Sequence, residues 1–466
     1  MNQHSKIAVV GYGVEGQEML KYLRKHKFDN VTVCDQDVQL KKKMPDGISV
    51  RLGEHYLEGL HQFDVVFRSP GVPHSDPEFA KAAVLGTRVT SPTEFFLEQC
   101  PCTVIGVTGT KGKGTTSTLI YEILREHSKL GRKSVYLGGN IGNPPIEFLD
   151  KVKKNHVVVL ELSCFQLGDL TKSPHIAVIL NTTIDHLDYY PDRGAYMRAK
   201  ELILTHQDGD DIAVLNADYP YVKYYKPLVA GRMKMVSVKG KKVKDGVVVR
   251  DGWVVAVKDG KEEKIVKVSD IALVGSHNLE NVSPAVAVAR EYGVSAKVIR
   301  RVVKKFRGLE HRIELMGKKK GVAYYNDSFS TNPMTSIAAI DSFEEPTFLI
   351  AGGSDKGLGY GEWAKRAVTK GSLKGVVLNG ETAGMMKKAL DKAGAGRKGS
   401  GMKVVVVDDL QSAFAKARAM AEAKARAVRK RKGGAHGAVV VMSPAAASFD
   451  QFKNYKERGK KFGKMV

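Results

Sequence analysis

The hydrophobic positions follow two rhythms. Short β-branched runs, "KIAVV" (6–10), "VTVC" (31–34) and "DVVF" (64–67), alternate with stretches whose apolar residues recur at helical spacing, as over 15–24. Strands separated by helices predict a parallel α/β sheet. The rhythm restarts at Thr103 and includes "HVVVLELS" (156–163) and "HIAVILNTTIDH" (175–186), then changes. "VVVRDGWVVAVKDGKEEKIVKV" alternates apolar and polar residues around Asp251-Gly252 and Asp259-Gly260, which predicts an antiparallel meander. Beyond "KKFRGLEHRIELM" the parallel pattern returns, with strands near Val322, Phe348, Val376, Val404 and Val439. The Ala/Lys/Arg-rich run 411–432 predicts a helix with a solvated face, and "AGAGRKGSG" (393–401) a flexible loop. The fold class is therefore α/β with three domains, at 1–100, 101–308 and 309–466.

Composition narrows the function. A chain of 466 residues is too long for one core, and 43% hydrophobic content suffices for several. There is neither a long apolar run nor a signal peptide, so the expectation is a cytoplasmic protein with no membrane partner. Of four cysteines, Cys100 and Cys102 are too close for zinc spacing, and Cys34 and Cys164 sit beside apolar strand residues as small hydrophobes. The net charge of +24 invites a nucleic-acid reading. Its basic clusters, 41–43, 318–320 and "RKRKGG" (429–434), carry neither interleaved aromatics nor a nucleic-acid motif, so a solvated basic surface is expected.

Two glycine clusters carry chemistry. In "GYGVEGQE", Gly11, Gly13 and Gly16 lie between a strand and a helix, and Asp35 ends the next strand; this predicts a diphosphate cradle with an acid nearby. In "VTGTKGKGTTSTLI", Gly109, Thr110, Lys111, Gly112 and Lys113 form a phosphate loop, with Lys113 placed for the β- and γ-phosphates of ATP. Gly114 stands where such loops carry a metal-binding hydroxyl, leaving Thr115 or Thr116 for Mg²⁺. Glu161 ends an apolar strand that has no packing need for a carboxylate, and Asp185 and His186 end another; both are suited to Mg²⁺. Asp327, 352–356 and 443–448 each follow a strand of the last domain, predicting a second substrate-binding face.

The segments "GVTGTKGKGTTSTL", "LGGNIGNPP", "VVLELSCFQL", "TTIDHLDYYP", "YMRAKELIL", "VGSHNLENV", "GLEHRIEL", "YYNDSFSTNP" and "SPAAASFDQFKNYKERGKKF" resemble, in order and spacing, the Mur ligase family. The resemblance spans essentially the whole chain. It implies a Rossmann-like N-terminal domain, a central ATPase of P-loop type and a Rossmann-like C-terminal domain. It further implies a monomer that uses ATP and Mg²⁺ to add D-glutamate to UDP-N-acetylmuramoyl-L-alanine through an acyl phosphate. The matching UDP-sugar positions are Val14, Glu15, Gly16, Asp35, Gln36, Ser69, Pro70 and Gly71, with Asn140 near the reacting end. Lys113, the Thr115 region and Glu161 match the phosphate and metal set. His186 and Glu161 match ligands of a second Mg²⁺, together with Lys200, which the family carbamylates. Asn278, Asn281, Arg312 and Asp327 match ATP contacts, and Thr331, Lys356, Ser448, Phe449 and Tyr455 amino-acid contacts. Three departures stand out: Gly114 in place of a hydroxyl, Phe329 in place of a common lysine, and Phe449 and Tyr455 in place of leucine and phenylalanine. The alternatives are a related ligase for another amino acid, a nucleotide-binding protein without ligase activity, and a nucleic-acid-dependent ATPase.

Overall fold

The computed structural model describes the chain except residues 130–133, 183–189, 191, 397–400 and 433–436. Three sheets follow one another along the sequence. The first is five-stranded and parallel, in the order Ser49–Leu52, Val31–Asp35, Ile7–Val10, Val65–Arg68, Arg88–Thr90. Its order reverses direction at Ile7–Val10, so the loops after that strand and after Val65–Arg68 open a crevice. All four residues of Ile7–Val10 are fully buried, because both faces of a parallel sheet are covered.

The second sheet has nine strands. Thr103–Thr108 lies between Val157–Glu161 and Ile176–Ile179, with Val135–Gly139 at the far edge. At the other end, Gly246–Arg250, Trp253–Lys258 and Lys261–Lys267 form the expected antiparallel meander. Both of its turns have two residues at positive φ, Asp251 (51°) with Gly252 (72°) and Asp259 (50°) with Gly260 (75°), the backbone that matches strand twist in tight hairpins.

The third sheet runs Glu314–Lys319, Val322–Asn326, Ala438–Met442, Thr347–Ala351, Leu373–Leu378, Lys403–Val406. Five of these strands were expected. The sixth, Glu314–Lys319, is an antiparallel edge strand that the apolar pattern did not show. Helix Leu410–Lys432 covers one face of this sheet with a stripe of Ala413, Ala417, Ala421 and Ala425, all fully buried, so its low-complexity composition is a close-packing surface.

The chain divides into two compact units. One comprises Met1–Ile271 with Leu279–Lys304 and holds the first two sheets; the other comprises Ala272–Asn278 with Lys305–Val466 and holds the third. All four cysteines are buried and free. No helix among the described residues is long and apolar enough to cross a membrane.

Candidate active site

The phosphate loop joins strand Thr103–Thr108 to helix Lys113–Ser128. That helix buries Leu119, Ile120, Ile123 and Leu124, which aims its positive end at the loop. Gly112 has φ 86°, and a Cβ there would lie 2.1 Å from Asn281 Oδ1, so the turn accepts only glycine. Lys113 Nζ donates to the carbonyl oxygens of Gly109 (2.9 Å) and Thr110 (3.2 Å), which folds the ammonium over the loop. Lys111 is exposed and Gly114 is buried in the first turn. The two threonines separate: Thr116 Oγ1 is buried 3.4 Å from Asn281 Oδ1, whereas Thr115 stays half-buried.

Sheet register brings further groups to this loop. Glu161 pairs with Val107 on one side and Gly139 on the other, so it ends its strand beside the phosphate loop. Asn140, just past Gly139, donates from Nδ2 to Glu161 Oε1 (3.0 Å) and from its backbone N–H to Glu161 O (2.8 Å). Glu161 Oε2 is buried with no hydrogen-bond partner among the described residues. A carboxylate oxygen withdrawn from water in this way is costly unless a donor or cation meets it. Lys200, on helix Arg193–Glu201, is 1% exposed; its Nζ lies 3.4 Å from Gly109 O and 4.6 Å from the centre of the Tyr196 ring. Tyr196 OH in turn lies 3.0 Å from Thr110 Oγ1. Asp185 and His186 lie outside the described residues.

The crevice of the first sheet is a cleft of about 400 Å³ lined by Gly11, Gly13, Val14, Glu15, Asp35, Gln36, Tyr56 and 69–73. Seven of the eight matched UDP-sugar positions therefore share one cleft. The eighth, Gly16, lies beneath it, where a Cβ would sit 2.1 Å from Gly11 O. Asp35 shapes the rim by accepting from the backbone N–H groups of Tyr12 (2.6 Å) and Asp37 (2.9 Å). Glu15 Oε1 accepts from Gln166 Nε2 (2.7 Å), while its Oε2 is buried with no hydrogen bond of normal geometry among the described residues, the Thr93 hydroxyl exerting only a weak pull on the carboxyl. Burial pushes the Glu15 carboxyl up to about 7, against the pull of the Gln166 hydrogen bond and the Arg68 guanidinium.

In the second unit, the loops after Val322–Asn326, Thr347–Ala351 and Ala438–Met442 meet. Asp327 Oδ2 accepts from Ser330 Oγ (2.5 Å) and Ser443 Oγ (2.6 Å), and Oδ1 from the backbone N–H of Ile313 (3.2 Å). Burial still raises its carboxyl to about 7. Gly352 donates to Pro444 O, and Ser354 bridges to Ala447. The Arg312 guanidinium lies 3.7 Å from the centre of the Phe329 ring, which meets Tyr455 edge-on at 5.3 Å. Asn278 donates from Nδ2 to Val274 O (2.7 Å). Thr331 is half-buried, Ser448 buried, Phe449 69% exposed, and Lys356 exposed with no ion pair among the described residues.

Three family models match in sequence order: a MurD-like Mur ligase N-terminal domain over 5–91, the Mur ligase middle domain over 107–289 and the Mur ligase glutamate ligase domain over 311–433. A UDP-N-acetylmuramoylalanine--D-glutamate ligase of Acetivibrio thermocellus is 38% identical, the match covering 100% of this chain and 96% of that protein. Its namesake in Symbiobacterium thermophilum is 37% identical over 99% and 97% of the two chains. The chain belongs to the Mur ligase family. Solved structures agree on the fold: a UDP-N-acetylmuramate-alanine ligase of Thermotoga maritima superposes with TM-score 0.56 at 19% identity over 99% of both chains. A Thermotoga maritima MurF ligase in complex with ADP gives 0.54 at 19% identity, covering 100% of this chain and 97% of that one.

Three buried groups of this Mur ligase escaped the sequence reading. Gln166 holds Glu15 through Nε2 while its Oε1 accepts from Ser163 N (2.9 Å) and Oγ (3.1 Å), so one amide ties the cleft of the first sheet to the segment that begins at Glu161. Arg68, 1% exposed, makes a two-pronged ion pair with Asp169 and donates to Phe165 O. Arg458, 3% exposed, donates to Ser328 Oγ and O and to Ala446 and Ala447 O. It is a cation surrounded by carbonyls, and burial lowers its pKa to about 10. The signal available for Gln166 and Arg458 was a polar residue within a resembling segment, and for Arg68 its place at a strand end beside Ser69, but the partners lie as many as 151 positions away.

Proposed function

We propose that this Mur ligase joins D-glutamate to UDP-N-acetylmuramoyl-L-alanine in the cytoplasm, as a monomer, converting ATP to ADP and phosphate. The full-length relatives with that name support the choice of substrates. The observation that carries the chemistry is the register of the central sheet, which sets a buried, half-satisfied Glu161 beside a phosphate loop roofed by Lys113 and floored by Lys200.

A carboxylate is a poor electrophile, so the alanyl carboxylate first attacks the γ-phosphorus, giving an acyl phosphate and ADP. The amine of D-glutamate then attacks the acyl carbon, the amide bond forms, and phosphate leaves. Lys113 shifts from loop carbonyls to the β- and γ-phosphates, neutralising charge as two anions meet. Asn140 orients the reacting carboxylate from its place on Glu161. In the first cleft, burial raises the Glu15 carboxyl above the usual carboxylate range, which lessens the anionic charge that the diphosphate meets. Asn278, Asn281, Arg312 and Asp327 contact ATP. Lys356 pairs with the side-chain carboxylate of D-glutamate, and Thr331, Ser448, Phe449 and Tyr455 shape the rest of that pocket.

The donor set fits Mg²⁺, since Glu161 Oε2 is an unsatisfied hard oxygen. Thr115 would hold one ion with Glu161. Glu161, His186 and Lys200 would hold a second, with carbamylation turning the Lys200 ammonium into an oxygen donor. When bound, Mg²⁺ supplies positive charge at the phosphoryl group being transferred.

The test is phosphate release with ATP, Mg²⁺ and UDP-N-acetylmuramoyl-L-alanine against a panel of D- and L-amino acids. Turnover is expected with D-glutamate alone. Turnover with another amino acid overturns the D-glutamate assignment, and none across the panel overturns the ligase reading.

A further inference from the structure

The charge of this protein is unevenly spread. Residues 305–466 hold thirty-one Lys and Arg against fifteen Asp and Glu, a surplus of sixteen out of the +24 of the whole chain. Within that unit, helices Leu410–Lys432 and Tyr455–Met465 cover the same side of the sheet. Phe414 and Phe462 meet at 5.6 Å over Tyr324 and Val440, so the outer sides of both helices point away from the sheet together. Edge strand Glu314–Lys319 continues this face, with Lys319 Nζ donating to Val466 O at 2.9 Å. Lys318 and Lys319 thus stand in a strand.

On the outer side exposed cations outnumber acids: helix Tyr455–Met465 carries Glu457 among its lysines, and helix Leu410–Lys432 intersperses its cations with exposed Ala415, Ala419, Ala423 and Ala427. Helix Tyr455–Met465 buries Arg458, Gly459 and Phe462 and exposes Lys456, Lys460 and Lys464 at every fourth position. Stacking like charges at this spacing weakens a helix, so the folding of the domain does not account for the stripe. On the neighbouring helix Lys416, Lys424 and Arg426 are also exposed, Lys424 on a different side from Arg426. None of these six forms an ion pair with a described carboxylate. No aromatic side chain is exposed on either helix or on the strand, so the bases of a single strand would have nothing to stack on.

We propose that this face docks the enzyme on an anionic lipid bilayer. A flat field of lysines without aromatic platforms, apolar wedges or a base-reading motif matches a surface that presents diffuse negative charge, and each such lysine contributes about fivefold to partitioning at low salt. None of these six residues is among those assigned to substrate or metal, so docking localises the enzyme without entering its reaction.

The experiment is co-sedimentation of the full chain with large vesicles of phosphatidylcholine containing 30% phosphatidylglycerol, against pure phosphatidylcholine, at about 50 and 300 mM salt. Binding to the anionic vesicles at low salt is expected, with release at high salt. The variant Lys456→Glu/Lys460→Glu/Lys464→Glu is expected to bind about a hundredfold more weakly. A control with the same charge change on the first unit, Lys239→Glu/Lys242→Glu/Lys244→Glu, is expected to bind as wild type; melting temperatures matching wild type show that both variants are folded. Equal loss in the two variants would show that only net charge acts, and would overturn the face. No preference for anionic vesicles, or tighter retention on duplex DNA that the helix variant abolishes, would overturn the lipid assignment.

Discussion

Glu15 offers a prediction whose sign inverts with pH. Its Oε1 accepts from Gln166, its Oε2 is buried with no hydrogen bond of normal geometry among the described residues, and burial moves the carboxyl from 4.5 to about 7 against weaker pulls from Gln166, Arg68 and Thr93. A raised carboxyl pKa means that the folded protein keeps a proton the unfolded chain has released. The associated stability is fully present below pH 4.5 and is lost as pH rises through about 7. Between pH 5 and pH 8 the loss amounts to about 2–3 kcal/mol. In Glu15→Gln the amide oxygen still accepts from Gln166, but the amide N–H₂ takes the place of Oε2 and stays unsatisfied, at a pH-independent cost of about 1–2 kcal/mol. Glu15→Gln is therefore expected to be less stable than wild type at pH 5 and equal or more stable at pH 8. Thermal unfolding of the two proteins in parallel across that range measures this directly. Asp327, also raised to about 7, is present in both and cancels. A stability difference that does not change with pH would refute the reasoning and place the Glu15 carboxylate in contact with water or a cation.

Gly112→Ala is expected to cost about 2–4 kcal/mol, because φ 86° is strained for alanine and the new Cβ overlaps Asn281 Oδ1; calorimetric unfolding measures it, and an unaltered melting temperature would contradict the loop geometry. Lys200→Ala is expected to lower turnover on the order of a hundredfold, with partial rescue by added short carboxylic acids, and full activity without rescue would remove the carbamate from the mechanism. Thr115→Ala is expected to raise the Mg²⁺ concentration needed for half-maximal rate, while Thr116→Ala, which loses the contact with Asn281, lowers the melting temperature instead; magnesium titration and unfolding curves separate the two. Lys356→Ala is expected to raise KM for the amino acid roughly 10- to 100-fold with little change in KM for ATP, as steady-state kinetics would show.

Local chemistry made much of this molecule legible. The two Asp-Gly turns announced the meander because a two-residue hairpin needs two positive φ angles and those residues supply them. Edge strand Glu314–Lys319 was not legible. It turns through Lys320-Gly321, at 52° and 81°, and lysine does not signal that conformation; a bulge between Leu315 and Gly317 also breaks the alternation. In the site, Lys113 and Glu161 could be read from their places at a helix start and a strand end. The unmet valence of Glu161, the two fates of Thr115 and Thr116, and the tie between Glu15 and Gln166 could not. Each depends on a partner brought near by sheet register or by packing between the first two sheets, and no spacing along the chain encodes it.

The central claim is that the substrate's own carboxylate takes the phosphoryl group before the amide forms. Supplying UDP-N-acetylmuramoyl-L-alanine labelled with ¹⁸O in its alanyl carboxylate, with ATP, Mg²⁺ and D-glutamate, tests this by mass spectrometry of the released phosphate. One ¹⁸O is expected in each phosphate formed, with the other retained in the UDP-N-acetylmuramoyl-L-alanyl-D-glutamate product. Product formed with unlabelled phosphate would contradict the claim.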